Sequence, residues 1–407
     1  MKNYILITLL LVGTHSFSQE TEKKENPFSA KWDNGFKVES ADKNFKLKFG
    51  GRIMVDHAFF SHNDEMDQNW GSLDVTSGTE FRRTRFYMSG LVYKNVEFKL
   101  QLDFAGGITT FKDAYIGLKS IPGVGTIRVG HVKEPFRLEA LTSSKYITFM
   151  ERSLSINASQ ERNSGILLFN DFADKKIAAQ LGFFRNSNAA GNNKDANNSY
   201  ALTGRLTGVP YRNKGENQFS QIGVAFTNRQ NPENIYSYQA RPETHLGEKY
   251  ISTGLITDVQ KINGLNFEAI FSSGPFSIQG EYLKTNLKMG NETPVDNYDF
   301  NSYYVQAGFF ITGDHRKMKS SYGGLDRLKP LKNFGKGVGA GAWEVAIRYS
   351  DANYNSEDII GGQEQDITLG LNWYLNPVTR IMFNNVFANI TDMGRVNVFQ
   401  MRFQIDF

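Results

Sequence analysis

From Lys46 to the final residue, Phe407, apolar and polar side chains take turns in run after run. Period two marks a strand whose two faces meet different surroundings. The first run, Lys46–Phe60, puts Leu47, Phe49, Gly51, Ile53, Val55, His57 and Phe59 on one face. Lys46, Lys48, Gly50, Arg52, Met54 and Asp56 take the other. It is far longer than the about five or six residues usual for a strand. Val96, Phe98, Leu100, Leu102 and Phe104 alternate with Glu97, Lys99, Gln101 and Asp103. Ala114, Ile116 and Leu118 alternate with Asp113, Tyr115 and Lys119, and Ile127 and Val129 flank Arg128. Further runs are Gly165–Phe169, Lys176–Arg185, Tyr200–Val209, Gln218–Thr227, Asn234–Arg241, Tyr250–Thr257, Leu265–Phe271 and Phe276–Leu287. Asn301–Thr312, Ala342–Ala352, Asp366–Leu375, Val378–Asn389 and Val396–Phe407 complete the set. The pattern predicts sixteen to eighteen strands, with the Asn234–Thr257 region leaving the number open.

One stretch breaks the alternation. Val132–Asn163 is a long insert, and such inserts are either functional or disordered. Phe136, Leu138, Leu141, Tyr146, Phe149, Met150 and Leu154 make it too apolar for a disordered linker. It also carries Lys133, Arg137, Lys145, Arg152 and Arg162 against Glu134, Glu139, Glu151 and Glu161.

The connections differ in length. Lys94-Asn95, Gly274-Pro275 and Asn376-Pro377 are tight, whereas His62–Gly78, the insert, Arg185–Asn198, Asn228–Asn234 and Gly313–Gly341 are long. Short turns on one side and long loops on the other is the layout of a transmembrane barrel. The last strand separates this from a soluble sandwich. Phe399, Met401, Phe403, Ile405 and Phe407 share one face, and Val398, Gln400, Arg402, Gln404 and Asp406 the other. A soluble edge strand of this kind would leave apolar surface and unpaired backbone exposed. In lipid every backbone group must be paired, so the sheet must close. The expected fold is an all-β transmembrane antiparallel β-barrel of the sixteen to eighteen strands counted above, with the long loop folded into the pore.

Composition agrees. Hydrophobic residues total only 40%, with 32 Phe, 18 Tyr and no cysteine, as expected where only every second strand residue meets lipid. Lys2, the apolar run Tyr4–Val12 and Ser16-Phe17-Ser18 have the order of a secretory signal peptide. Residues 1–18 are therefore expected to be removed, with cleavage after Ser18 or Gln19. Residues 19–44 form a polar lead-in, with Gly35-Phe36-Lys37-Val38 and Asp42-Lys43-Asn44 as a candidate short hairpin, and 45–407 the barrel. The chain has 46 Lys and Arg against 42 Asp and Glu; losing Lys2 leaves 45, or +3. That balance argues against a nucleic-acid binder, so any anion preference must be local.

A set of motifs runs through the chain in order: Gly51-Arg52-Ile53-Met54-Val55-Asp56, Phe81-Arg82-Arg83-Thr84-Arg85, and Gly130 to Glu139 (GHVKEPFRLE). Thr142-Ser143-Ser144, Phe149-Met150-Glu151-Arg152, Gly308–Gly313 (GFFITG), Ala342-Trp343-Glu344, Arg348-Tyr349-Ser350 and Gly370-Leu371-Asn372-Trp373-Tyr374 come after them. Together they resemble the phosphate-selective porin O and P family, particularly its Bacteroidetes branch, over nearly the whole chain from about Gly35. The chain's final Phe407 likewise resembles the C-terminal signal of bacterial outer-membrane proteins. The resemblance implies a sixteen-stranded barrel, a homotrimer, a loop folded into the pore and cations lining the path of an anion.

Strand parity selects lumenal side chains independently: Lys46, Lys48, Arg52, Asp56, Glu97, Lys99, Gln101, Asp103, Arg128, Gln279, Glu281, Glu344 and Arg348. Charges on the lipid side would cost roughly 2–4 kcal/mol each near the midplane. Arg82, Arg83 and Arg85 are the densest arginine cluster and a candidate anion site, since guanidinium groups present a planar fork of donors to phosphate. Arg83 and Arg85 share the parity of both Phe81 and Tyr87, so parity is ambiguous there, with a bulge or a rim position as candidate explanations and structural pairing with nearby carboxylates as the other reading of the cluster. The Gly313–Gly341 segment carries His315, Arg316, Lys317, Lys319, Arg327, Lys329, Lys332 and Lys336 against Asp314 and Asp326. It is expected to act as an anion-gathering funnel at a pore mouth, with lipopolysaccharide phosphates as the other candidate ligand. No metal or catalytic motif appears among the histidines or serines, so neither a cofactor nor an enzyme activity is expected.

The candidate pore-lining cations are Arg52, Arg83, Arg85, Arg128, Lys133, Arg137, Lys145, Arg152, Arg162 and Arg348. Lys145, between Ser144 and Tyr146, is the first choice for an unpaired cation at the constriction, because the acids of the insert neutralise some of the others. The expected function is an outer-membrane porin for small anions, phosphate or related oxyanions. A weakly selective general-diffusion porin and a surface-binding or adhesion barrel remain the alternatives.

Overall fold

The computed structural model describes residues 27–155, 161–193, 199–319 and 323–407. The expected leader, 1–18, lies outside them. Among the described residues the alternating runs form β1 (Lys46–His62), β2 (Ser77–Val92), β3 (Val96–Asp103), β4 (Thr110–Ile121), β5 (Gly125–Lys133), β6 (Arg162–Phe172), β7 (Ile177–Arg185) and β8 (Tyr200–Asn213). The second half comprises β9 (Gln218–Gln230), β10 (Val259–Ser273), β11 (Phe276–Met289), β12 (Asn297–Phe310), β13 (Ala342–Ser356), β14 (Ile359–Asn376), β15 (Thr379–Ile390) and β16 (Gly394–Asp406). Each strand pairs antiparallel with the next. The last returns to the first, with Val396 opposite His62 and Asp406 opposite Arg52. The sheet therefore closes into a sixteen-stranded barrel and leaves no open edge to lipid.

Alternation decides which side chains face inward. In β16, Val396, Val398, Gln400, Arg402, Gln404 and Asp406 are buried in the lumen, while Phe399, Phe403 and Ile405 are exposed on the outer wall. Before β1, Phe28–Trp32 and Phe36–Ser40 form a hairpin, and Phe36–Glu39 pair with Lys46–Phe49. Directly above it on the same edge of β1, Phe407 exchanges backbone hydrogen bonds with Gly51, at 2.6 and 3.2 Å. The N-terminal hairpin and the C-terminus thus share the short-turn end of the barrel.

Three features depart from the period-two reading. Asn234–Arg241 and Tyr250–Thr257 are not wall strands. They make two short ladders, Ile235–Tyr236 with Ile256–Thr257 and Gln239–Ala240 with Ile251–Ser252, inside a loop that folds into the barrel. Alternation there reflects a ribbon packed on a wall, since Tyr238, Ala240, Tyr250 and Ile251 are buried against Phe300 and Tyr354. Counting strands also puts the 311–341 connection at the short-turn end, opposite the other long loops. Conversely, β13 and β14 are joined at the long-loop end by Glu357-Asp358 alone.

Candidate functional site: the lumen and its cationic wall

The insert that refuses to alternate lies across the inner face of β11–β16. Its short helix α1 (Leu138–Leu141) is wholly buried. The backbone N–H groups of Leu138 and Glu139 donate to the Glu281 carboxylate on β11, at 2.7 and 2.8 Å. Further along, wall side chains reach the loop's backbone. Asn372 donates to the Thr148 carbonyl (2.8 Å), Arg380 to Ile147 (2.7 Å), and the Met150 N–H donates to Asn384 (2.8 Å). Loop backbone cannot stay unpaired in a dry interior, so these polar wall residues are what allow it to lie there. Two inward glycines make room for its aromatic rings. A Cβ at Gly264 or Gly370 would stand 3.0 Å from Phe136 or Phe149.

Two more segments fill the same half of the lumen. The 231–258 loop enters from the long-loop end and places Glu243 beneath Arg348, which donates to it from Nε at 2.8 Å. Ser350 and Thr368 donate to the same carboxylate, each at 2.5 Å. From the short-turn end, the 311–341 segment sends in Arg316, paired with Glu344, and Arg327, 3.1 Å from Asp406.

What remains open is a cavity of about 1160 Å³ along β1–β6. Among the described residues its wall carries nine lysines and eight arginines against five carboxylates, Glu97, Asp113, Glu151, Glu161 and Glu243. A chain of nearly balanced charge therefore concentrates its cations on one internal surface. Each lumenal acid that the structure pairs with wall cations holds them in place. Glu151 takes Arg82 (2.9 Å), Arg83 (3.5 Å) and Arg402 (2.7 Å). Glu161 takes Lys133 (2.7 Å), Arg152 (3.4 Å) and Arg162 (3.1 Å). Asp113 takes Arg162 (2.9 Å) and Lys99, and Glu97 takes Arg128 (2.7 Å). Burial would raise the Glu151 carboxyl, but Arg82, Arg83 and Arg402 hold it well below the usual carboxylate range.

The arginine cluster owes its placement to a bulge. Met54 pairs with Arg83 while Val55 pairs with Phe81, so Arg82 is the extra residue. A bulge re-aims the strand. Phe81 and Phe86 face outward, and Arg82, Arg83, Arg85 and Tyr87 all reach the cavity.

Eight of the ten candidate cations line the cavity: Arg52, Arg83, Arg85, Arg128, Lys133, Lys145, Arg152 and Arg162. Arg137 and Arg348 do not. Arg137 is buried at a left-handed φ of 70° and donates to the Ser155 carbonyl. Arg348 is fully buried between Glu243, Glu139 and the Phe149 ring, 4.4 Å away. Parity correctly turned Arg348 inward, but the inserted loops then covered it. Lys145 reaches the cavity yet is not unpaired, since Asp406 lies 3.1 Å from its ammonium. Burial, and beyond it the Arg52 and Arg327 guanidiniums, pull that ammonium down to about 7 against the attraction of Asp406. Of the eight predicted cations that line the cavity, Arg52 is the one with no carboxylate within ion-pair distance among the described residues. It donates from Nη1 to Ser144 at 2.6 Å, and its buried Nε has no partner.

Other wall residues went unread. Lys112, Arg241 and Lys249 line the cavity. Lys112 lies beyond a register shift between β3 and β4 that period two hides. Arg241 and Lys249 sit on the loop misread as strands. The 311–341 segment is not the expected funnel: among its described cations only Lys319 lines the cavity. Nor does it stand beside the outer leaflet, where lipopolysaccharide lies, because it emerges at the short-turn end.

The sequence model of the phosphate-selective porin O and P family matches residues 48–407. Porin O of Pseudomonas aeruginosa is 24% identical over 91% of this chain and 89% of that protein. Among solved structures, the trimer form of OmpT, an outer-membrane protein of Vibrio cholerae, superposes with a TM-score of 0.56. It is 10% identical and covers 89% of this chain and 99% of its own. OmpF of Salmonella typhi superposes with a TM-score of 0.54 at 11% identity, covering 93% of this chain and 100% of its own.

Proposed function

The chain belongs to the phosphate-selective porin O and P family, and we propose that this outer-membrane porin passes small anions by diffusion, phosphate and related oxyanions foremost. The observation that carries the reading is the cavity wall, with its nine lysines and eight arginines against five carboxylates. Sharing Glu151, Glu161 and Asp113 among several cations fixes their positions while leaving a positive surplus. That combination attracts an anion without trapping it in a single deep site, as conduction requires. Of the eight predicted cations that line the cavity, Arg52, held by Ser144, is the one best placed to touch a passing anion, because no carboxylate among the described residues lies within ion-pair distance of its guanidinium. A homotrimer is part of the proposal, supported by the trimeric relative and tested by the mass of the detergent-solubilised protein.

Planar-bilayer recording tests the reading. In a KCl gradient the reversal potential should show preference for chloride, and added phosphate should block the chloride current. A reversal potential near zero would leave a general-diffusion porin, and absence of conductance would leave an adhesion barrel.

The Lys145 ammonium supplies a pH signature. It is charged below about pH 7 and neutral above, so the chloride-to-potassium permeability ratio should fall as pH rises from about 6 to about 8. Lys145→Arg keeps its charge throughout and should flatten that dependence. A slope that survives in Lys145→Arg would place the titrating group elsewhere.

A further inference from the structure

The basic 311–341 segment divides into two parts with different destinations. Its first part turns into the lumen through Arg316 and Arg327, and Asp314 accepts the Leu331 N–H at 2.6 Å. From Lys329 onward it turns the other way. Residues 329–341 form a small turn closed by Gly335 and Gly339 (3.1 Å), and it lies against the outer wall of the barrel. The Phe334 N–H donates to the Leu375 carbonyl at 2.7 Å, and the Phe334 ring meets Trp373 edge-on at 4.9 Å. Trp373 stacks on Trp343 at 4.9 Å. Both indole N–H groups donate to the Ala340 carbonyl, at 2.8 and 3.2 Å. Parity puts Trp343 and Trp373 on the lipid side, because their neighbours Glu344 and Asn372 are fully buried inside.

The hairpin therefore rests on a pair of outward tryptophans at the short-turn end, the level of the inner aromatic girdle. Its own surface is amphipathic. Leu331, Phe334 and Val338 are exposed by 64, 52 and 58%. Lys329, Lys332 and Lys336 are exposed beside them, and residues 329–341 contain no acid. Apolar side chains next to lysines at a membrane boundary fit a surface that is oily below and anionic above.

We propose that the 329–341 hairpin is a docking element for acidic phospholipid head groups of the inner leaflet. Leu331, Phe334 and Val338 enter the acyl boundary, and the three lysines meet the phosphates. Charge complementarity and continuity with the lipid-facing wall favour lipid over a second copy of the chain. The inference rests on the outer-membrane location and is independent of anion conduction.

The test uses full-length protein in which Trp32 and Trp70 are replaced by Phe, leaving Trp343 and Trp373 as the reporters. It is reconstituted in phosphatidylcholine vesicles containing either brominated phosphatidylglycerol or brominated phosphatidylcholine. Attraction on the order of fivefold per lysine should make the acidic lipid the stronger quencher. The triple variant Lys329→Glu, Lys332→Glu, Lys336→Glu should lose that preference while conductance stays unchanged. The milder Lys→Gln triple should reduce it and guards against misfolding of the Glu triple. Equal quenching by the two lipids in the parent protein would overturn the proposal. So would loss of oligomer mass in the triple variant with its lipid preference intact, which would assign the hairpin to a contact between copies.

Discussion

Charge reversal at Arg52 is expected to lower chloride permeability by about tenfold, to move potassium permeability in the opposite sense, and to relieve the block by phosphate. Replacing Arg by Glu changes the local charge by two units. At about 5 Å from a permeating ion in a water-filled passage this shifts its energy by roughly 1.5 kcal/mol, which is about tenfold. Arg52 is chosen over its neighbours because, among the described residues, no carboxylate lies within ion-pair distance of it and its hydrogen-bond partner is the neutral Ser144. By contrast, Arg82, Arg83 and Arg402 share Glu151, so removing one of them lets the others redistribute. Arg52→Gln should give about half the effect in free energy, and it guards against misfolding of the Glu variant. Reversal potentials that do not move in either variant would transfer the selective position to the Glu151 cluster.

The second large effect is expected at Glu243. Glu243→Gln should open the pore. Glu243 holds the 231–258 loop to the wall through Arg348, Ser350 and Thr368, and its backbone N–H donates to Asp366 at 3.0 Å. Its carbonyl also accepts from Gln400 at 2.8 Å. Removing one partner of a buried ion pair costs about 3–5 kcal/mol, because the other charge is left without compensation. Here that charge is Arg348, fully buried and left with Glu139 at 3.3 Å. The cost falls on loop docking, since the wall ladders from β1 to β16 do not pass through the loop. Expected readouts are a larger single-channel conductance and faster proteolysis within 231–258, with the barrel's resistance to heat and detergent unchanged. Unchanged conductance with intact 231–258 would show that the loop is held mainly by the Tyr238, Tyr250 and Ile251 packing.

Much of the barrel could be read directly. A lipid-facing wall imposes one apolar residue in two, and that rule runs through β1, β10, β11 and β16 with little interruption. It also placed Glu281, Glu344 and Arg348 inside. It failed where the backbone slips by a residue. The bulge at Arg82 and the register shift near Lys112 each reverse the parity of the residues beyond them; conflicting parity at Phe81 and Tyr87 flagged the first as one option, and nothing flagged the second. It failed again at 231–258, because a ribbon packed against a wall inside the barrel alternates as a wall strand does.

The sequence by itself determined that the chain closes a barrel, which side chains face inward along uninterrupted strands, and that the stretch Val132–Asn163 holds a non-strand insert, although its first two and last two residues belong to the wall. These conclusions come from local periodicity and from the cost of leaving polar backbone in lipid. Tertiary structure alone decided how the lumenal charges are apportioned. Lys145 was read as free from its neighbours Ser144 and Tyr146, but its partner is Asp406, 261 residues away. Arg348 was read as pore-lining from its parity, but the 231–258 loop and the insert cover it. Arg52 looked like one cation among ten and is the one of the eight cavity-lining candidates with no carboxylate within ion-pair distance among the described residues. Ion pairing depends on distances across the barrel that no local pattern encodes. The insert, the 231–258 loop and the 311–341 segment fill one half of the lumen, and that filling leaves the cationic wall of β1–β6 as the open path.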